Sequence, residues 1–554
     1  TVFEPRLTMT STDSWTILSL MSCVSCVSCS TCLAASLVVI LLFYYLFSSR
    51  SVEPNNDDWS RLGVTYPNLP SRFFAGTNFR QQVALLIEQY GDIVGLKITS
   101  RMWLLTTNLD LLRTIMIKDF NNFVDRADKL NSNTPLARCL FFARGNDWRR
   151  HRQVVSPTFS SGKLKYISKS VDFSAKRLAD YLAQCAQDGT VVPIKDASAR
   201  YSCEIIAKVA FGLDAKFVKK ESSEFYEHGK NMLVLNPGSI TSFILMLMHR
   251  VPKLVYTCNK IFRSVQLFEA VNLKANSYFQ DILTSTMEAR RRKKSSESDQ
   301  KHVDFLDLLL KANDNIKAGR QDTEDEGVSH EKIDLSKGLD DEEVIGQSML
   351  VIFAGLETTA TSLQMCLFEL AKHQEIQEKV YEEITSVLAN ETPTTDDLQK
   401  LHYTECVISE TLRLHPPIPS INRKAKETRT YNGITIPKGA CIMIPFWHIL
   451  MDPKLWPEPH KFDPERFSQE EKAKRDPMAF ICFGQGPRLC LGMRLAYLEL
   501  KQALVHVLRR VKVVLNDKTE PKLGCDVEVK QFGLLTPVKP VLLAFEKRES
   551  GASH

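Results

Sequence analysis

The sequence predicts a mainly α-helical protein with small β-sheets, set behind an N-terminal transmembrane helix. Three observations carry that reading. From Trp15 to Phe47 no residue is charged. From about Gln81 onward, apolar residues recur with a helical period through long segments. Strand-like runs are short and come in pairs joined by turn residues.

Bulk properties narrow the class. The chain has 554 residues, 44% hydrophobic and 25% charged, which is ordinary globular composition with length for a large core. A net charge of +6 is mild for this length and does not point to nucleic acid. Four of the 14 cysteines, Cys23, Cys26, Cys29 and Cys32, recur in the apolar N-terminal stretch with no histidine beside them. They read as membrane-embedded low complexity rather than a metal site. The other cysteines are scattered singly from Cys139 to Cys525, the pattern of a reducing compartment.

The elements follow in order. Residues 1–27 read as a leader and residues 28–47 as the anchor, since about 20 apolar residues cross a bilayer core. Tyr44 and Tyr45 suit the interface, and Arg50 follows on the cytoplasmic side. No cleavage motif follows the apolar core, so the anchor is retained. Residues 48–70 form a polar linker and a stiff lead-in ending at Pro67 and Pro70. The body spans 71–547, and 548–554 is a tail.

Within the body, Val94–Ile98 pairs with Met102–Leu105, and Tyr431-Asn-Gly433 turns a second pair into Ile434–Ile436. Ile240–Met248 is apolar but too short to span a bilayer, and is expected to dip into the membrane. The charged stretch Glu288–Lys337 reads as a solvated loop interrupted by a helix at Val303–Leu310. The longest helix opens on Asp340-Asp-Glu-Glu343, an acidic start resembling a capping box, and continues to about His373. At 1.5 Å per residue it is roughly 50 Å long. A second helix runs from about Asp396 to Leu414 and stops at Pro416-Pro417.

Five motifs carry chemistry. Phe483-Gly-Gln-Gly-Pro-Arg-Leu-Cys490-Leu-Gly492 forms a tight glycine loop whose cysteine opens the helix Met493–Leu508. A helix N-terminus favours a thiolate, and glycines let the backbone approach a flat ligand. Ala354-Gly-Leu-Glu357-Thr358-Thr359 interrupts the apolar pattern of the longest helix. Threonines can simply bond back to carbonyls there, but such local inconsistency also marks function. In Trp148-Arg-Arg-His-Arg152, Trp148 and Arg152 share one helix face. Glu410-Thr-Leu-Arg413 alone would be an ordinary i, i+3 pair, but Pro464-Glu-Arg466-Phe467 follows downstream. Gly484-Gln-Gly486 is not a dinucleotide fingerprint, because Pro487 follows at once and no strand–turn–helix unit surrounds it.

The Phe-x-x-Gly-x-Arg-x-Cys-x-Gly pattern resembles the haem-loop signature of the cytochromes P-450, and the other motifs appear in that family's order. The resemblance covers roughly Trp59 to Glu546. Val303-Asp-Phe-Leu306, Phe353–Thr359 and Gly533–Pro537 make it most like the microsomal branch of the family-3 drug- and steroid-oxidising enzymes and thromboxane synthase. It implies the cytochrome P-450 fold, an α-helical domain with a smaller β-rich region. The cofactor is then haem b, iron-protoporphyrin IX, with Cys490 as the axial metal ligand. Phe483 would shield the sulfur, Trp148, Arg152, Arg423 and Arg488 would face the propionates, and Ala354 would border the haem. Glu357 and Thr358 would be the catalytic acid–alcohol pair on a distorted turn of the long helix. Glu410, Arg413 and Arg466 would be structural. Arg149 and Arg150 read as solvated charge that also attracts an acidic electron donor.

The implied function is a monooxygenase that inserts one atom of dioxygen into an apolar substrate: xenobiotic, steroid or fatty-acid-like. Electrons would come from NADPH–cytochrome P-450 reductase, with cytochrome b5 as an accessory donor. The protein would sit in the endoplasmic reticulum membrane, its catalytic domain cytosolic, the Asn390-Glu-Thr392 sequon unmodified, and nucleic acid no partner. Substrate contacts are expected from Arg126–Phe142, Ile352–Glu357, Ile418–Asn422 and Phe532–Leu535. Two rivals are a haem-thiolate isomerase acting on a peroxide and a non-catalytic haem-binding protein.

Overall fold

The computed structural model describes residues 57–67, 79–98, 101–127, 134–213, 217–218, 224–232, 272–294, 304–319, 338–388, 390–522, 524–530 and 533–548. The expected anchor at 28–47, the four-cysteine repeat, the 240–248 run and Phe532 lie outside them. The chain divides into two units, Thr1–Asp58 and Trp59–His554, and the described residues belong almost wholly to the second.

That unit is mainly helical. Its principal helices are α1 (Gly145–Val155), α2 (Ser161–Gln187), α3 (Ile194–Phe211), α4 (Glu224–Lys230), α5 (Leu273–Lys294), α6 (Phe305–Lys317), α7 (Asp341–Lys372), α8 (Gln374–Val387), α9 (Thr395–Gln399), α10 (His402–Leu414) and α11 (Met493–Arg510). Three small sheets accompany them. The largest has the order β1 (Ile93–Ile98), β2 (Arg101–Thr106), β7 (Cys441–Ile444), β4 (Ile421–Lys424). The second joins β3 (Val192–Pro193), β9 (Leu542–Lys547) and β8 (Val511–Val514), and the third pairs β5 (Arg429–Tyr431) with β6 (Ile434–Ile436).

Helix α7 is the axis of the larger core. Its start is sealed as the sequence expects: Asp340 accepts from the Glu343 amide, and Glu343 accepts from the Asp340 amide. From Thr359 to Ala371 every residue is buried. Among the described residues α7 alone is long and apolar enough to cross a membrane, but it is mostly buried within the protein. Helix α3 presses against it so closely that a Cβ on Gly355 would sit 2.5 Å from Ile206 Cδ1. The second core lies under the largest sheet, where β1 pairs antiparallel with β2 as the alternation predicts. The indole of Trp59 lies over Gly95, where a Cβ would meet its ring at 2.4 Å, and donates to the Leu96 carbonyl at 3.1 Å. The Asn432-Gly433 turn takes positive φ at both residues, 50° and 84°, as a tight hairpin requires.

Four expectations need correction. The Glu288–Lys337 stretch is not a loop at its start, since α5 continues to Lys294. There Arg290 grips Asp304 and Asp307, which open α6. The expected helix 396–414 is two helices. Glu383 of α8 accepts from the amides of Tyr403 and Thr404, at 2.6 and 2.8 Å, and starts α10 afresh. Arg149 and Arg150 are not solvated but 4% and 6% exposed. Arg150 makes a two-pronged pair with Glu343 at 2.7 Å, and Arg149 donates to Asn121 and Asn146. Helix α7 is also unbroken through Ala354–Thr359, where distortion was expected. Side-chain donors crowd its carbonyls there instead: Thr358 bonds Ala354 O, Ser202 bonds Gly355 O, and Thr361 bonds Glu357 O.

Candidate active site

The glycine loop brings Cys490 to the start of α11. Gly484 and Gly486 take positive φ, 76° and 69°. Gly486 lies so close to the Met116 carbonyl that a Cβ would fall 1.9 Å from its oxygen, so only glycine fits. The Cys490 amide closes the loop by donating to Phe483 O at 3.0 Å. The Cys490 side chain is accessible although protein surrounds it on nearly all sides, as at the floor of a hollow. Burial pushes its thiol upward, while the Gly492 and Met493 amides and the charge of Arg152 act the other way. Arg152 donates to the Leu489 carbonyl at 2.9 Å, one residue from Cys490.

Helix α7 packs on the same cluster as the cysteine loop. Ala354 is exposed and Thr358 half-exposed in a helix otherwise deeply buried. Leu350 of α7 and Leu491 beside Cys490 pack against the same cluster, Phe120, Val124, Leu140 and Trp148. The long helix and the cysteine loop therefore share one side wall. Thr358 Oγ1 donates to Ala354 O at 2.6 Å. The Glu357 carboxylate lies 2.9 Å from Lys195 Nζ, which also donates to Thr361 Oγ1 at 2.9 Å.

A cluster of arginines occupies one side. Arg423 is fully buried, and burial first, then the charge of Arg126, pulls its guanidinium down to about 9. Burial pulls Arg126 down to about 10. Arg488 is lowered well below its ordinary value, by burial and then by Arg126 and Arg423. The Nε of each is buried without a hydrogen-bond partner, and Asp125, the carboxylate that acts on Arg488, is outweighed by burial and by the charges of Arg126 and Arg423. Arg488 spans the Trp148 ring at 4.7 Å and donates to Ala143 O, and Arg126 covers Phe141 at 3.9 Å. An arginine keeps its proton, so mutually repelling buried guanidiniums call for an external anion. The residues thus fit the expected haem: an accessible thiol on a glycine loop, and a cluster of buried arginines for two propionates.

Of the expected site residues, Arg152 reaches Leu489 beside Cys490, Phe483 accepts the Cys490 amide and Trp148 lies under Arg488, while Ala354, Glu357 and Thr358 share one stretch of α7. Two members were not legible. Arg126 was expected only at a substrate loop, and Lys195 not at all, since neither has a spacing to the residues it joins. Of the expected substrate segments, the Leu535 amide donates to Pro417 O at 2.9 Å, bringing the C-terminal turn to the Ile418–Asn422 segment.

The three-member support is present. Glu410 and Arg413 are both 0% exposed and paired at 2.7 and 2.8 Å, with Arg466 Nε 3.5 Å from Glu410. Behind α7 lies one more acid, Glu499 of α11, 1% exposed and bonded to Thr359. Burial raises it to about 8 despite that bond. A raised carboxyl favours the fold fully below its unfolded pKa near 4.5 and loses that advantage as pH rises through 8. The melting temperature of the wild type should therefore fall relative to Glu499→Gln between pH 5 and pH 8. At 1.36 kcal/mol per unit the differential is on the order of 4 kcal/mol. Parallel melting curves across that range would remove the assignment.

The family model described as Cytochrome P450 matches residues 66–545. Among curated proteins, the chain is 31% identical to mouse cytochrome P450 3A41 over 93% of this chain and 96% of that one. It is 32% identical to mouse cytochrome P450 3A11, over 84% and 86%. It is also 32% identical to probable cytochrome P450 6a14 of Drosophila melanogaster, over 85% and 89%.

Proposed function

The chain belongs to the cytochrome P450 family, and on that premise we propose that it oxidises apolar organic molecules with electrons from a separate NADPH-dependent reductase. Membership makes it a haem-thiolate monooxygenase. The substrates we assign to it are xenobiotics, steroids or fatty-acid-like compounds, met by a catalytic domain at 71–547 held at the endoplasmic reticulum by the anchor at 28–47. NADPH–cytochrome P-450 reductase is the main electron donor, with cytochrome b5 as a second.

The observation that carries the reading is an accessible Cys490 on its glycine loop, packed on a side wall that it shares with α7, the helix that carries Thr358. When bound, haem supplies oxygen activation and the oxidising power. The chain's part is to hold and steer. Cys490 would hold the iron, its sulfur receiving the Gly492 and Met493 amides. Phe483 keeps water from that sulfur. Trp148, Arg126, Arg152, Arg423 and Arg488 would hold the propionates, and Ala354 would border the ring. Thr358 holds a proton at Oγ1, parked on the Ala354 carbonyl, and turns it towards the open side. Glu357 refills that proton from solvent through its contact with half-exposed Lys195.

Thr358→Ala should keep cofactor binding but lower product formed per NADPH consumed by roughly tenfold or more, the remainder appearing as peroxide. Paired measurement of NADPH loss, peroxide and product, with reductase present, checks it. Full coupling in the variant would remove Thr358 from the relay. Full-rate turnover of a peroxide substrate without reductase would replace the monooxygenase reading with the isomerase one.

A further inference from the structure

Tyr497 lies on α11, two turns beyond Cys490, and nothing above gives it a part. Its ring meets the Phe483 ring at 5.7 Å between centroids, tilted 40°. Its hydroxyl lies 3.0 Å from Ser409 Oγ on α10. Ser409 Oγ already donates to Glu405 O at 2.8 Å. A hydroxyl has one proton, so Ser409 has only lone pairs left to offer and Tyr497 must be the donor. Burial pushes the Tyr497 phenol well above its ordinary value, which keeps that proton on it. Ser409 directly precedes Glu410, whose carboxylate holds Arg413 and the Asp463 amide. Phe483 in turn accepts the Cys490 amide. Contact therefore runs without a gap from the buried Glu410–Arg413 pair through Ser409, Tyr497 and Phe483 to Cys490.

We propose that Tyr497 is a positioning residue for the Cys490 loop: its ring holds Phe483 against the cysteine, and its hydroxyl fixes that ring to α10 through Ser409. This rests on Cys490 being the haem ligand. A phenylalanine would fill the same core space, so the hydroxyl is what separates positioning from packing. Without the anchor, Phe483 gains freedom, water reaches the sulfur more often, and the thiolate bond becomes easier to lose.

The test uses the full-length, haem-loaded protein. The reduced carbon monoxide complex is followed at fixed temperature as its red-shifted band decays to the unshifted form, and the reduction midpoint is measured beside it. Tyr497→Phe and Ser409→Ala should each speed the decay roughly fivefold, the scale of one hydrogen bond. The double variant should be no faster than either single one, because both remove the same bond. The midpoint should move positive in all three. Val513→Ala, a cavity in the distant β8–β9 sheet, is the control for general destabilisation and should leave decay and midpoint as in the wild type.

Decay and midpoint unchanged in Tyr497→Phe and Ser409→Ala would overturn the proposal, as would an equal effect in Val513→Ala. If Tyr497→Phe fails to accumulate, Ser409→Ala alone decides. Absence of the red-shifted band in the wild type would instead refute Cys490 as ligand, a different and distinguishable failure.

Discussion

Replacing Cys490 by serine is expected to abolish the red-shifted absorbance band of the reduced carbon monoxide complex and to take reductase-supported oxidation to background. Serine fills nearly the same space, and the loop closes through backbone, Cys490 amide to Phe483 carbonyl, so the fold should persist. What disappears is the sulfur ligand. An alcohol does not ionise near neutral pH, and neither the two amides aimed at the side chain nor the charge of Arg152 changes that. Circular dichroism confirms the fold, and the optical spectrum decides. Survival of the band in Cys490→Ser would mean that another group holds the iron, and the site would have to be rebuilt around it.

Arg413→Leu is expected to be the most damaging change away from the hollow. Arg413 is 0% exposed and donates to Glu410 and to the carbonyls of Leu450, Pro459 and Lys461. Its loss strands a buried carboxylate and three carbonyls together. Breaking one half of such a pair costs about 3–5 kcal/mol. The urea midpoint should fall accordingly, and haem retention with it. The double variant Glu410→Leu/Arg413→Leu should lose less than the two single changes summed, because the buried carboxylate leaves with its main partner while Arg466 keeps the Glu458 carbonyl. A single-variant loss below about 1 kcal/mol would mean that the network does not support the fold.

What the sequence disclosed, and what it hid, divides by range. The capping box of α7 was readable because Asp340 and Glu343 serve each other within one turn. The β5–β6 hairpin was readable because Asn432-Gly433 carries its own turn chemistry. The Cys490 loop was readable because close approach dictates its glycines. The break between α9 and α10 was not, since its capping carboxylate, Glu383, comes from another helix. Arg150 looked solvated for the same reason: its partner Glu343 is 193 positions away. Arg126 and Lys195 were missed because irregular or distant segments bring them to the site, and no spacing within one element announces them.

The buried arginines have a consequence for the living cell. Arg126, Arg423 and Arg488 lower one another's hold on a proton beneath the surface, so a dianion bound among them would favour the folded chain. A ligand that binds only the folded chain stabilises it in proportion to how far its concentration exceeds its dissociation constant. Maturation of the polypeptide and capture of its porphyrin thus become one equilibrium. A cell short of haem would hold fewer copies of this protein, not merely idle ones, because unfilled chains would spend longer unfolded and within reach of proteases.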